Sequence, residues 1–229
     1  MTARDDILGA VRRSLHRAAG DGAPERARQR MGEHRRNPIP ARGRDEGAAT
    51  VKRFVAEAEL VAATVTPVAS EAEVPGAVAA YLASHNLPAC VVMAPDPALA
   101  RIPWSDRPTL AIRHGAARPD DQVSVTPAFA AIAETGTLML ISGPDTPTTL
   151  NLLPDDHIVV LRASQVVGNY EDGWDRLRQA REKDGATGLP RTVNFITGPS
   201  RTGDIEQKLV MGAHGPRRLH IVLIQDHGG

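Results

Sequence analysis

Cysteine is almost absent from this chain, and its scarcity excludes several kinds of site. Among 229 residues, Cys90 is the single cysteine. The chain can therefore form no internal disulfide, no Cys-x-x-Cys redox pair and no zinc or iron–sulfur site built from its own cysteines. Any iron–sulfur cluster would have to be bound by a partner protein. Cys90 begins an apolar stretch, where we expect a buried small hydrophobe rather than a reactive thiol.

Long apolar runs, aromatic residues and net charge are also lacking. Apolar runs such as those at 158–161 and 221–224 are far shorter than the roughly 18 residues of a membrane helix. The first residues lack the apolar core of a secretory signal. Aromatic residues make up 3%, and 27 basic residues balance 27 acidic ones. We therefore expect a cytoplasmic protein with no membrane span.

Although the net charge is zero, the first part of the chain is basic and the remainder is acidic. Residues 1–44 carry eleven Arg against five acidic residues, a surplus of six, so the remainder is net negative by six. A basic segment can bind nucleic acid by neutralising phosphates. This one has no aromatic residue for base stacking, and its Arg residues are interleaved with Asp, Glu, Gly and Pro. We expect no nucleic-acid binding, and expect the segment to pack on its own acidic domain or on a partner.

Apolar spacing predicts how the chain is organised. A helix over 4–19 and a mostly polar helix over 25–36 are followed by Asn37-Pro38-Ile39-Pro40, which favours an extended linker. We therefore predict a helical arm and linker over residues 1–44 and an α/β domain over 45–229.

In the predicted domain, short apolar strands alternate with helices. The helices are expected at 46–61, 72–84, 128–133, 172–182 and 204–212, and the strands at 64–68, 89–94, 109–113, 123–125, 137–141, 157–161, 192–197 and 219–224. This alternation predicts the α/β class, with a mostly parallel sheet covered by helices. In such sheets ligands bind beyond the carboxyl ends of the strands.

The first candidate loop joins the predicted strand at 192–197 to the predicted helix at 204–212. Unpaired backbone amides at a helix start can bind an anion or a carboxylate. Alternatively, Asp204 and Gln207 form a capping box that satisfies those amides without a ligand. The candidate ligand-binding residues of this loop are Gly198, Ser200, Arg201, Thr202 and Asp204.

The second candidate loop contains Glu134 at a turn before a strand, with Gly136 permitting unusual backbone angles. A carboxylate there could be a nucleophile or a general base. It could equally be a turn residue that accepts hydrogen bonds from nearby amides, and Thr135 and Thr137 could act in the same way.

The third candidate loop places Asn151, Asp155, Asp156 and His157 just before a strand. A histidine beside two carboxylates could transfer protons or bind a metal. A loop that starts a buried strand explains the same residues. The other histidines show no metal-ligand spacing, and we predict no metal site.

Longer motifs around these loops carry a resemblance. They read Ala-Glu-Thr-Gly-Thr-Leu, then Leu-Leu-Pro-x-x-His-Ile-Val-Val, then Asn-Phe-Ile-Thr-Gly-Pro-Ser-Arg-Thr-Gly-Asp-Ile-Glu, and finally Gly-x-His-Gly-Pro-Arg-x-Leu-His. Over roughly residues 46–226 the chain resembles the LutC/YkgG family of lactate utilization proteins, also called the LUD domain. One departure is Gly203, where relatives usually have Ala.

The resemblance implies a fold similar to the NagB/RpiA/CoA-transferase-like fold. It also implies a role in oxidising L-lactate to pyruvate beside two iron–sulfur proteins resembling LutA and LutB. With one cysteine, this chain would be a non-redox component, with the clusters on its partners. We expect the three loops to form a ligand pocket. In it, Arg201 pairs with a small carboxylate such as that of lactate or pyruvate, and Ser200 and Thr202 donate hydrogen bonds. The other two loops contribute further ligand-binding residues: Thr135, Gly136, Thr137, Asn151 and His157.

Other functions remain open from the residues. Family I CoA transferases use a glutamate in a Glu-x-Gly context, and Glu134-Thr-Gly136 is similar to it. The alternative is therefore a free-standing transferase or isomerase that acts on an acyl-CoA or a phosphorylated small molecule. A scaffold with no pocket is a third possibility, and the sequence leaves open whether the chain catalyses any reaction.

Overall fold

The computed structural model describes residues 2–15, 23–186, 188–205, 208–211 and 214–226. Its helices are α1 (Ala3–Ser14), α2 (Ala23–Glu33), α3 (Ala48–Leu60), α4 (Val74–Ser84), α5 (Pro97–Ala100), α6 (Thr149–Leu152) and α7 (Tyr170–Lys183). Its strands are β1 (Thr64–Val68), β2 (Cys90–Met93), β3 (Ala111–His114), β4 (Val123–Pro127), β5 (Ala130–Ile132), β6 (Thr137–Ile141), β7 (Asp156–Arg162), β8 (Val166–Val167), β9 (Val193–Ile196), β10 (Arg201–Ile205), β11 (Lys208–Met211) and β12 (Arg218–Ile224).

The chain forms two compact units, Met1–Pro38 and Ile39–Gly229. The smaller unit contains α1 and α2. In α1, Thr2 and Asp5 form a capping box, and no residue of the helix is buried. The division falls at Pro38, whereas the sequence placed it after Arg44. Residues 39–44 belong to the larger unit, where the amide of Asn169 donates a hydrogen bond to the carbonyl of Gly43 at 3.0 Å.

A six-stranded sheet in the order β1-β12-β7-β4-β2-β3 forms the centre of the larger unit. Every neighbouring pair in it is parallel. Central parallel strands are covered on both faces, which explains the continuous apolar runs of β7 and β12. The predicted α/β class and the mostly parallel sheet are confirmed.

Alternate residues of β7 and β12 point to the two faces. On one face Ile158, Val160 and Val222 pack with α4, around Val78 and Leu82. The opposite face packs against α3 and a second sheet through a larger set: Phe54, Ala58, Leu138, Leu140, Val159, Leu161, Ile221 and Leu223.

The second sheet, in the order β8-β5-β6-β9, was not expected from the sequence. Its β5–β6 and β6–β9 pairs are antiparallel, and its β5–β8 pair is parallel. The predicted helix at 128–133 is therefore wrong, because Ala130–Ile132 forms the strand β5. All three residues of β5 are fully buried. Small side chains let β5 lie close to its neighbours, and this tertiary packing overrides the helix propensity of alanine.

The predicted helix at 204–212 is also wrong. Arg201–Ile205 and Lys208–Met211 pair as an antiparallel hairpin, β10 and β11. Gly203 is a poor helix former, while Ile205 and Val210 are β-branched and favour strands. Residues 206, 207, 212 and 213 lie outside the described part of the chain.

Two further findings concern expected burial and membrane spans. Cys90 is exposed at the start of β2, so its expected burial is wrong. The apolar part of β2 begins one residue later, at Val91. Within the described ranges, no helix is both long and apolar enough to cross a bilayer.

Candidate functional site

Glu134 lies directly after β5 and is 5% exposed. Its backbone N–H donates to the carbonyl of Gly168 at 3.0 Å. Its side-chain Oε1 accepts a hydrogen bond from the backbone N–H of Tyr170 at 3.3 Å, at the start of α7. Free N–H groups and the helix dipole favour a carboxylate at a helix start. The carboxylate thus accepts a nearby amide, as a turn residue would, and its catalytic role stays a prediction.

A short segment of backbone covers the other carboxylate oxygen. Gly43 is buried at the end of the 3₁₀ turn Ala41–Gly43. A Cβ atom added to Gly43 would lie 3.1 Å from Oε2 of Glu134 and 3.0 Å from Cβ of Asn169. Glycine therefore allows the turn to lie against the carboxylate. Nucleophilic attack by Glu134 on an acyl group would require this segment to move.

Four hydroxyl groups meet beside Glu134. Thr137 Oγ1 lies 2.7 Å from Oγ1 of both Thr135 and Thr197, and the hydroxyl of Tyr170 lies 3.1 Å from Thr135 and Thr137. Thr137 is fully buried, whereas Thr197 is exposed. These contacts form a hydrogen-bonded chain that leads from the protein interior to solvent. It joins the predicted Glu134 loop to the residue that precedes Gly198.

Two glycines hold these loops against the end of α3. Gly136 has φ +63°, and an added Cβ would lie 2.3 Å from the backbone nitrogen of Ala58. Gly198 has φ +71°, and an added Cβ would lie 2.3 Å from the carbonyl oxygen of Val61. Both positions combine a left-handed backbone with a close approach that only glycine permits. Packing therefore explains both glycines, and their predicted contact with a ligand stays a prediction.

Arg201 is anchored at the same helix end. Its Nη2 donates to the carbonyl of Val61 at 2.9 Å, where the last carbonyls of α3 lack helical partners. The side chain is exposed, and its remaining N–H groups can still bind an anion. Ser200 donates its backbone N–H to the carbonyl of Pro216 at 2.8 Å.

The hairpin of β10 and β11 removes the helix start on which the predicted anion site of the first candidate loop depended. Because β10 replaces the predicted helix start, there is no helical amide cluster between Arg201 and Ile205 to bind an anion. The strand backbone also replaces the capping box expected of Asp204 and Gln207. The side chains of Thr202 and Asp204 lie outside the described part of the structure, as does Gln207.

His157 is fully buried on β7. Its Nε2 lies 2.7 Å from Thr126 Oγ1, and its Nδ1 has no partner among the described residues. Burial lowers the pKa of His157 to about 3, so the imidazole is neutral at pH 7. Asp155 and Asp156 form ion pairs with Arg217 and Arg218. His157 therefore does not form the expected group with these carboxylates. Asp156 is adjacent to it in β7 and points to the opposite face, and Asp155 lies before the strand and pairs with Arg217.

The residue motifs missed a buried polar cluster on the α4 side of the sheet. The carboxylate of Asp156 binds Nε and Nη2 of Arg218 at 2.5 and 2.7 Å, and it accepts from the hydroxyl of Tyr81 at 2.7 Å. The ring of Tyr81 stacks on His220 with centroids 4.3 Å apart, and Nδ1 of His220 lies 2.8 Å from Thr64 Oγ1. Burial raises the pKa of Tyr81, and burial lowers the pKa of His220 to about 4.

Asn151 lies in α6 and is 4% exposed. The loop that it begins reaches the amino edge of the six-stranded sheet, where the backbone N–H of Arg217 donates to the carbonyl of Asp155 at 2.7 Å. Ser200 binds the neighbouring Pro216. The first and third candidate loops therefore meet at the amino edge, not at the carboxyl edge where ligands are expected. Among the described residues, no three His, Cys, Asp or Glu side chains are grouped to hold a metal ion.

Comparison with known proteins relates this arrangement to one family. Residues 120–224 match the LUD domain family model. The chain is 37% identical over 123 residues to a protein of Exiguobacterium sp. named Lactate utilization protein C, which covers 54% of this chain and 52% of that protein. A Bacillus subtilis protein of the same name is 36% identical over 104 residues, covering 45% of this chain and 42% of that protein. The aligned region thus spans about half the length of these relatives.

A solved structure has a similar fold. A DUF162 family protein from Deinococcus radiodurans aligns with a TM-score of 0.56 and 27% identity, over 77% of this chain and 97% of that one. The matched family segment begins just before β4 and ends with β12, so it contains Glu134, His157 and the Gly198–Arg201 segment.

Proposed function

We propose, because residues 120–224 of this chain match the LUD domain family model, that the protein is a non-redox component of an L-lactate utilization system. In this proposal it acts in the cytoplasm with iron–sulfur proteins that oxidise L-lactate to pyruvate. The observation that carries it is the similarity to relatives named Lactate utilization protein C.

The cysteine content supports the proposal that partner proteins bind the iron–sulfur clusters. Oxidation of lactate to pyruvate releases two electrons and two protons, which an acceptor must take. Iron–sulfur clusters are usually held by four cysteine thiolates. A chain with Cys90 alone cannot provide that set, so the clusters of the proposed system belong to its partners.

The hydroxyl chain and Arg201 suit a small carboxylate ligand. Thr137 can donate its proton to Thr197, which leaves the exposed Thr197 hydroxyl free to donate to a ligand oxygen. The free N–H groups of Arg201 add a charge-assisted hydrogen bond. Gly198, which follows Thr197, packs closely on the carbonyl of Val61, and Arg201 donates a hydrogen bond to the same carbonyl. We therefore assign lactate or pyruvate to the exposed end of this chain of hydroxyls.

Exchange of Arg201 tests the ligand assignment. A deletion strain that expresses Arg201→Ala should grow more slowly on L-lactate than one that expresses the unchanged protein, while growth on glucose stays equal. Pyruvate affinity of the purified variant, measured by calorimetry, should fall about tenfold, the value of one charge-assisted hydrogen bond. Arg118→Ala is the matched control, because Arg118 is exposed in a loop after β3. Unchanged affinity and unchanged growth for Arg201→Ala would refute the assignment.

Affinity purification tests the role with partners. The full chain should be purified gently from its own cells grown on lactate, with the co-purifying proteins identified by mass spectrometry and the iron quantified. Recovery of iron–sulfur proteins in a fixed ratio is expected. Lactate-grown cells that lose the gene and still oxidise lactate at the normal rate would contradict the proposal. Mass spectrometry after incubation with acyl-CoA compounds covers the transferase alternative, which requires a covalent adduct on Glu134.

A further inference from the structure

A cavity lies at the opposite edge of the six-stranded sheet from the three candidate loops. Its volume is about 470 Å³. Its walls come from the carboxyl ends of β4 and β7, the α5 segment that follows β2, the loop after β6, and the end of α7. Open α/β sheets take their ligands at the carboxyl ends of the strands. Pockets for small molecules usually measure about 300–1,000 Å³, so this cavity has the size of a binding site.

The size of the cavity favours a ligand larger than a three-carbon acid. A water molecule takes up roughly 30 Å³ of liquid, so 470 Å³ corresponds to about fifteen waters. Lactate or pyruvate, with six non-hydrogen atoms, would leave most of this space wet. The matching ligand has on the order of fifteen to twenty non-hydrogen atoms.

The lining of the cavity is part polar and part apolar, and its buried residues are apolar. Leu99, Ile102, Ala128 and Val160 are buried at its base. Half-buried Phe129 adds an aromatic surface, and Ile141, Pro127 and Pro190 extend the apolar lining. An apolar ring system would replace water against these groups.

The lining holds three Asp and two Arg residues, and one of the Arg residues can pair with an anionic group at one end. Arg162 is paired with Glu71, and the carboxylate of Asp96 accepts the backbone N–H of Ala98 at 2.7 Å. Asp145 and Asp184 are exposed, where water screens their charge. Arg181 is half-buried in the last turn of α7, and among the described residues its guanidinium contacts only the carbonyl of Gly188, through Nε. Its terminal N–H groups are therefore free to pair with an anion.

We propose that this cavity binds an organic anion with an apolar ring body, larger than lactate or pyruvate, whose anionic group pairs with Arg181. This site is separate from the one assigned to the small carboxylate, and its existence does not depend on the role in lactate utilization. Carboxylates and phosphates share the required chemistry, and the experiment distinguishes them.

The dye 8-anilinonaphthalene-1-sulfonate combines aromatic rings with one anionic group and is the probe for the full chain. Its fluorescence should titrate to one site. Ala98→Trp places a large side chain in the cavity wall and should weaken binding by at least tenfold. Ala100→Trp is the matched control, because Ala100 is exposed on the same short helix and does not line the cavity. Equal dye affinity in the two tryptophan variants would overturn the proposal.

A second pair of variants tests the anionic end. Arg181→Gln should weaken dye binding about tenfold, whereas Lys183→Gln, exposed in the same helix turn, should not change it. The neutral analogue N-phenyl-1-naphthylamine should bind the unchanged protein and Arg181→Gln equally. Thermal unfolding of each variant verifies that it folds. Equal binding of the anionic dye to Arg181→Gln and the unchanged protein would refute the assigned ion pair.

Competition then identifies the anion. Displacement of the dye by 1-naphthoate but not by 1-naphthyl phosphate assigns a carboxylate ligand, and the reverse result assigns a phosphate. Displacement by neither compound would overturn the proposed ligand class.

Discussion

Asp156 is fully buried, and its carboxylate binds both Arg218 and Tyr81. Asp156→Asn would remove the charge that pairs with Arg218. We expect the free energy of unfolding to fall by about 2–3 kcal/mol, at the low end for a buried pair, because the Arg218 side chain is 42% exposed and water can solvate it. Urea denaturation at pH 7 measures the change.

The neighbouring residue is the matched control for that prediction. Asp155 pairs with Arg217, and their side chains are 57% and 60% exposed. Exposed pairs contribute little, so Asp155→Asn should change the free energy of unfolding by less than about 1 kcal/mol. Equal losses for the two variants would show that burial does not decide the strength of these pairs.

His157 and His220 predict how stability depends on pH. Burial lowers their pKa to about 3 and about 4, whereas an unfolded histidine titrates near 6.5. The unfolded chain therefore binds more protons than the folded one as the pH falls below about 6.5. The stabilising contribution of the two neutral histidines is fully present above that pH. As the pH falls towards 4, the free energy of unfolding decreases by up to about 1.4 kcal/mol per pH unit for each histidine.

Urea denaturation between pH 7.5 and 4.5 measures this slope. His157→Gln should reduce it by roughly the contribution of one histidine, up to about 1.4 kcal/mol per pH unit. His114→Gln is the control, because His114 is exposed at the end of β3. A slope that His157→Gln leaves unchanged would show that this imidazole becomes protonated in the folded protein.

At the scale of elements, the turn between β5 and β6 is fitted to α3. Gly136→Ala would place a Cβ atom 2.3 Å from the backbone of Ala58, at φ +63°. We expect the free energy of unfolding to fall by about 3 kcal/mol or more, since the backbone of α3 or the turn must shift. The hydroxyl chain through Thr137 should be displaced with it, and pyruvate affinity should fall in the folded variant.

Gly185 is the control for this prediction, because its backbone is also left-handed but an added Cβ would make no close contact. It has φ +64° after α7, and an added Cβ would meet no atom within 4 Å. Gly185→Ala should therefore cost only about 1 kcal/mol, the strain of a left-handed alanine. Thermal unfolding compares the two variants, and a loss at Gly136 no larger than that at Gly185 would contradict the close packing on α3.

Local patterns predicted most elements near their observed positions. The helices over 48–60 and 74–84 and the central strands carry long apolar periodicities that one window of sequence contains. The helices predicted at 128–133 and 204–212 were wrong. The first segment contains β5, which pairs with β6 and β8, and the second contributes to the hairpin of β10 and β11. The intrinsic preferences of a short segment do not indicate which strand will pair with it.

At the scale of the whole molecule, the apolar cores lie within residues 39–229. Helix α1 buries none of its residues. A chain that begins at Ile39 should therefore fold, with a free energy of unfolding within about 1 kcal/mol of the full chain. Urea denaturation of both chains checks this. A loss of several kcal/mol would show that residues 1–38 contribute to the stability of the larger unit.

The candidate site shows what sequence can predict at this scale. Glu134, Thr135, Gly136 and Thr137 are adjacent in the chain, so their motif marked them directly. Tyr170 and Thr197 were missed, because they reach Thr137 only through the start of α7 and the pairing of β6 with β9. Asp156 and Arg218 were missed as a pair because they are 62 residues apart and meet through the register of β7 and β12.

The amino-acid sequence by itself determined the α/β class, the apolar strands and the limit that one cysteine places on metal clusters, because composition and periodicity are local properties. Only the tertiary structure decided which groups meet. It closed the backbone of Gly43 over Glu134, turned His157 away from its neighbouring carboxylates, and left the cavity beside Arg181. These outcomes depend on strand register and on close packing between distant segments, which specify contacts in space rather than along the chain.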